Sequence, residues 1–202
     1  MSIAERSWLV VSGGLRLEAR LHDGAGSLAA VVMHPHPQYG GDMDNHVVVA
    51  VCESLASVGA TTLRFNFRGV GQSEGAFDDG RGEAEDGRAA IASLRANAPS
   101  AKLMVVGYSF GAMIAVAVAE AAEPAALVLI SPPLTMSTLD MLPSGPRTLI
   151  VSGDHDAISP ASAVMGLASE NVTAKVVKGV DHGWQRGLDD LGAALVAFAS
   201  RI

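Results

Sequence analysis

Short runs rich in Val, Leu and Ile alternate along this chain with longer stretches of helical spacing, from about residue 29 to the C-terminus. A parallel sheet covered by helices on both faces produces this order, because each strand is buried on two sides and each return crossing needs a connecting helix. Strands are expected over residues 29–33, 61–65, 102–106, 127–130, 148–151 and 173–177. Helices are expected between and after them, over 45–58, 83–97, 110–121, 160–168 and 187–200. An opening pair, 8–11 and 15–20, turns through Ser12-Gly13-Gly14 and reads as an antiparallel hairpin at the sheet edge. The expected fold class is α/β, a mainly parallel sheet of about eight strands with helices on both faces.

A chain of 202 residues, 49% apolar and 17% charged, is sized for one domain spanning 1–202 and is too apolar to stay disordered. With 14 Lys and Arg against 21 Asp and Glu, the net charge of -7 offers no basic surface for nucleic acid or an anionic membrane. The longest apolar stretch, 112–130, is interrupted by Glu120, Glu123 and Pro124, so no bilayer-spanning segment is expected. Glu5 and Arg6 follow directly on the first four residues without a leader-like apolar run, and the single cysteine, Cys52, has no internal partner for a disulfide. Both observations point to a cytoplasmic protein, with Cys52 an ordinary buried thiol. Pro132, Pro133, Pro143 and Pro146 restrict residues 131–147 to a turn or two of helix, which leaves no room for a lid domain.

Chemistry enters at Gly107-Tyr108-Ser109-Phe110-Gly111, a G-x-S-x-G string set between an expected strand and an expected helix. In that setting the glycines let strand and helix pass closely, and the serine is held in a strained turn with its hydroxyl exposed above the sheet. A serine hydroxyl needs a base, and the base needs an acid to fix its tautomer. His182, in Gly179-Val180-Asp181-His182-Gly183-Trp184, lies just beyond the last expected strand and suits the base. The loop Ser152-Gly153-Asp154-His155-Asp156 follows the preceding strand and offers two aspartates. Ser, Asp and His then occur in the chain order that the elbow arrangement uses.

On these motifs the whole chain resembles the α/β-hydrolase superfamily. In that family the acid usually stands third after the glycine of this loop, which is Asp156 here, leaving Asp154 to hold the turn. An oxyanion needs one backbone N–H after the nucleophile, from Phe110, and one from the loop Met33-His34-Pro35-His36-Pro37-Gln38-Tyr39. Pro35 and Pro37 have no N–H, which leaves His36, with Gln38 or Tyr39 as second choices; the family's usual position also falls on His36, and His34 then braces the loop. The H-P-x-P-type loop makes the chain most similar to compact, cap-less, dienelactone-hydrolase-like esterases. The resemblance implies a serine hydrolase acting on a small carboxylic ester or thioester in an open site, with Tyr39, Tyr108 and Trp184 against the substrate and no cofactor. An apolar mouth around Tyr39, Phe77 and Trp184 could equally serve a second copy of the chain as a homodimer contact.

Rival readings use the same residues. His34-x-His36 with Asp42, Asp44 and His46 has spacings a metal could use, but a metal-dependent hydrolase would leave the elbow, the aspartate loop and His182 without a role. No metal is therefore expected, and Asp42, Asp44 and Asn45 are assigned to capping the next helix. A catalytically idle binding protein on the same fold would not need the intact Ser, Asp and His. Gly69, Gly71 and Gly75 lack dinucleotide-binding spacing and resemble instead the R-G-x-G-x-S segment of α/β-hydrolases, with Arg68 and Ser73 as structural ties. Glu83, Glu85 and Asp86 stand at a helix start, where acids complement the dipole.

Overall fold

The computed structural model describes residues 3–136 and 142–202. Among these residues one sheet holds eight strands in the order β1-β2-β4-β3-β5-β6-β7-β8. They are β1 Arg6–Ser12, β2 Leu15–His22, β3 Leu28–Met33, β4 Thr61–Phe65, β5 Lys102–Tyr108, β6 Ala126–Ile130, β7 Arg147–Gly153 and β8 Val172–Val177. Only β2 runs against the rest: it is antiparallel to both β1 and β4, and every pairing from β4 through β8 is parallel. The expected α/β sheet and its edge hairpin are what the chain forms.

Among the described residues five α-helices cover the sheet: α1 His46–Ala56, α2 Arg81–Asn97, α3 Phe110–Ala122, α4 Ala161–Gly166 and α5 Leu188–Ala199. Side chains alternate across a strand, so each central strand feeds two cores. Ala29, Val31 and Met33 of β3 belong to the core layer shared with α2 and α3, while Ala30 and Val32 belong to the layer that holds α1 and α5. The same division holds in β5, where Leu103 and Val105 face one layer and Met104, Val106 and Tyr108 the other. Since β3 to β8 are parallel, their C-terminal ends lie on one edge, and the loops that follow β3, β5, β6, β7 and β8 emerge side by side.

Among the described residues no helix stands between β6 and β7, as the four prolines lead one to expect; residues 137–141 of that segment lie outside the described residues. No helix of the described residues is long and apolar enough to cross a membrane. Cys52 is buried in the core under α1, and burial pushes its thiol up to about 12.

The loops near the site are tied by long-range polar contacts. Arg68 donates to both oxygens of Asp86, whose side chain is fully buried, and also reaches Glu85. Asp86 therefore does more than complement the α2 dipole, because it neutralises a guanidinium from a loop 18 residues away. Glu83 accepts from the N–H groups of Asp78 and Gly80 and so closes the start of α2. Ser73 accepts from Glu18 N–H and donates to the Asn66 carbonyl, the structural tie expected of it. Of the three capping candidates, Asn45 caps α1 through Val47 N–H, Asp42 holds the turn at Asp44, and Asp44 pairs with Arg64.

Candidate active site

β5 delivers Ser109 to the sheet edge in a backbone conformation that few non-glycine residues adopt, φ 54° and ψ -116°. That strain costs of order 1–3 kcal/mol and is held by the packing around it. A Cβ on Gly107 would lie 2.1 Å from the Gly111 carbonyl oxygen, and one on Gly111 would lie 2.4 Å from the Met33 oxygen. Only glycines allow β5, α3 and the end of β3 to approach this closely. The half-buried Ser109 hydroxyl then stands above the sheet at the start of α3, the sharp turn read from the sequence.

Two further loops meet it. His182 Nε2 lies 2.9 Å from Ser109 Oγ, and His182 Nδ1 lies 3.0 Å from each oxygen of Asp156. A carboxylate can only accept, so Nδ1 carries the proton and donates, which leaves the Nε2 lone pair facing the hydroxyl. Asp156, not Asp154, is the acid in contact with the imidazole; Asp154 accepts from Gly179 N–H and ties the β7 loop to the β8 loop. Burial pushes the Asp156 carboxyl up, but hydrogen bonds from His182, Ser131 and Ser159 N–H outweigh it and hold the group below its usual value. Ile158 N–H is a further donor to the same carboxylate.

The histidine loop is clamped from three directions. Tyr108 donates its hydroxyl to the His182 carbonyl at 2.6 Å, and burial raises that phenol to about 12, so it stays a donor. His46, at the head of α1, places Nε2 3.0 Å and 3.2 Å from the carbonyls of Gly183 and Trp184. Trp184 is fully buried, and its indole donates to Ser131 Oγ at 2.8 Å. This corrects the expectation that Trp184 lines an apolar mouth: the indole turns inward to the core beside α1 and α5, where its N–H has a partner. Ser131 carried no expectation at all. Its one sequence signal is its place directly after β6, at the edge where loop residues meet.

The loop after β3 carries the two early histidines. His34 is fully buried, donates from Nδ1 to the Pro35 carbonyl at 2.6 Å and accepts at Nε2 from Phe67 N–H at 3.1 Å. Burial lowers it to about 4, so it is a neutral brace. His36 accepts at Nδ1 from Gln38 N–H, and its ring sits 4.8 Å from Phe110, 4.9 Å from Tyr39 and 5.1 Å from Phe77. Tyr39 N–H donates to the His36 carbonyl, so the Gln38 and Tyr39 amides are both spent within the loop. The five residues considered as metal ligands do not converge. Both His34 nitrogens are occupied, His46 turns to the β8 loop and Asp44 to Arg64, and no group of three His, Cys, Asp or Glu among the described residues is placed to hold an ion.

A groove of about 720 Å³ opens over Ser109. Tyr39, 87% exposed, and Tyr108 both border it, whereas Phe77 stands behind His36 on a neighbouring cleft. Its hydrocarbon walls, Met113, Ile114 and Ala117 of α3 with Pro133 and Met136, were not singled out in the sequence, where they read as ordinary helix core and loop.

A family model described as serine aminopeptidase, S33, matches residues 40–147. A protein of Rickettsia prowazekii, itself uncharacterized, is 37% identical over 180 residues, 82% of this chain and 76% of that one. Among solved structures, a Xanthomonas campestris α/β serine hydrolase without a lid superposes with a TM-score of 0.89 at 32% identity, covering 98% of this chain and 94% of that one. An α/β serine hydrolase homologue from Coxiella burnetii gives 0.87 at 32% identity, with 96% of each chain covered.

Proposed function

This chain belongs to the α/β-hydrolase superfamily, and from that premise we propose that it cleaves a carboxylic ester or thioester through an acyl-enzyme on Ser109. The observation that carries the reading is the relay from Ser109 Oγ to His182 at 2.9 Å and from His182 to Asp156 at 3.0 Å. As Oγ attacks the carbonyl carbon, its proton passes to Nε2 and the carbonyl π electrons move onto oxygen. Asp156 keeps Nδ1 protonated and stabilises the imidazolium that forms. The tetrahedral intermediate collapses, the alcohol or thiol leaves with the proton held on Nε2, and water repeats the sequence to release the acid.

Phe110, first residue of α3, supplies one amide for the oxyanion. His36 supplies the other: Pro35 and Pro37 have no N–H, and those of Gln38 and Tyr39 are already engaged. Backbone donors preset in this way cost no reorganisation when charge develops on the oxygen.

The test is labelling with a fluorophosphonate probe, alongside turnover of p-nitrophenyl esters, an acyl thioester and an aminoacyl anilide. Wild type should label and hydrolyse an ester or thioester, and Ser109→Ala should do neither. Absence of labelling together with no turnover of any ester or thioester would end the proposal; turnover of the anilide alone would replace it with an amidase.

A further inference from the structure

We propose that the groove along α3 takes the acyl half of the substrate and that this half is an uncharged hydrocarbon chain of medium length. The inference rests on the reading of Ser109 as nucleophile and adds to it the shape and polarity of what is bound.

Direction comes first. His182 belongs to the loop that leads into α5, and α5 packs on the α1 face of the sheet; α3 packs on the opposite face. A leaving oxygen must face His182 to take its proton, so the leaving group lies toward the α5 side. What extends from Ser109 along α3 is then the acyl group.

Polarity follows from the walls. Phe110, Met113, Ile114 and Ala117 recur at the i, i+3, i+4, i+7 spacing that places them on one face of α3, and all four border the groove. Pro133, Met136 and Ile158, from the loops after β6 and β7, add further apolar lining. Among the described lining residues there is no Lys or Arg, and the one carboxylate is Asp79, so an anionic acyl group finds no counter-charge. At the rims Tyr39 is 87% exposed and Met136 75%, large side chains that the free protein leaves in water.

Length follows from the helix. Eight residues separate Ser109 from Ala117, about 12 Å at 1.5 Å per residue. An extended chain advances about 3.6 Å for every three bonds, so about ten bonds fill the groove, an acyl group of roughly eight to ten carbons. Full burial of a methylene is worth about fourfold in binding, and a half-open groove about twofold.

The experiment is kcat/KM for p-nitrophenyl esters from acetyl to palmitoyl, with a glutaryl and a suberyl monoester as anionic controls and fluorophosphonate labelling of Ser109 run in parallel. We expect kcat/KM to rise about two- to fourfold per methylene up to eight to ten carbons and then level or fall. The anionic esters should run at least tenfold slower than neutral ones of equal length. Ala117→Trp, at an exposed position that tolerates a large side chain, should cut the decanoyl-to-butyryl ratio of kcat/KM by tenfold or more. If the serine labels and short esters turn over but kcat/KM is flat or falls from acetyl onward, the inference is wrong and the serine chemistry stands. If nothing labels and nothing turns over, both are wrong.

Discussion

Acid should destabilise this protein through His34, and the size of the effect can be worked from its surroundings. The imidazole is fully buried, and both nitrogens are committed in the neutral form, Nδ1–H to the Pro35 carbonyl and Nε2 to Phe67 N–H. A proton on Nε2 would set two donors against each other, and burial holds the group at about 4 against 6.5 for an unburied histidine. Between those values the unfolded chain binds a proton that the folded chain does not, so stability falls as pH drops below 6.5 and the loss is complete near 4. A gap of about 2.5 units at about 1.4 kcal/mol each amounts to roughly 3 kcal/mol. At 2–4 °C per kcal/mol for a chain of this size, Tm should drop by about 6–12 °C. Asp156 does not confuse the window: its carboxyl is held below 3.8, so the stability it adds is lost only at still lower pH. The assay is thermal melting of wild type and His34→Gln from pH 8 to 4. The variant should start lower at pH 8 and lose clearly less between 6.5 and 4. Parallel curves for the two proteins would refute the assignment.

Three other perturbations have defined outcomes. Asp156→Asn places an amide against His182 Nδ1 and favours the wrong tautomer, so kcat for a short ester should fall by about 10⁴; a loss under tenfold would remove Asp156 from the chemistry. Trp184→Phe keeps most of the ring but leaves Ser131 Oγ without the indole donor, at a cost of about 1–3 kcal/mol with KM little changed. A raised KM at unchanged Tm would restore the idea that this indole touches substrate. Gly111→Ala puts a Cβ 2.4 Å from the Met33 oxygen and should cost about 3 kcal/mol or more, read as a lower urea midpoint; an unmoved midpoint would contradict the packing of the elbow on β3.

The residues that met at the sheet edge were readable in advance because each follows a strand. If strands 102–106, 148–151 and 173–177 are parallel, the segments after them must emerge together, and Ser109, Asp156 and His182 stand in those segments. β4 spans Thr61–Phe65, the bounds expected of it, although only Leu63 and Phe65 of its five residues are apolar. β5 and β7 run two residues past expectation, to Tyr108 and Gly153, because their ladders continue to Tyr108↔Ile130 and Gly153↔Val177. What the local pattern could not carry was the direction a loop side chain takes. Trp184 looks exposed beside glycine and aspartate, yet its partner is Ser131, 53 residues away. Asp86 looks like a helix-start acid until Arg68 is folded onto it. Pairings at such separations depend on tertiary packing that no window of sequence contains.

The clamp on the histidine loop has a consequence for how such a protein can diversify. Its anchors, Tyr108, His46 and the Trp184–Ser131 pair, come from β5, α1 and the turn after β6, whereas hydrocarbon side chains such as Ile114, Ala117 and Pro133 shape the trough beside Ser109. The lining of the trough can thus be exchanged while the residues that anchor the histidine loop stay untouched. A lineage built on this scaffold is free to change its diet without relearning its chemistry.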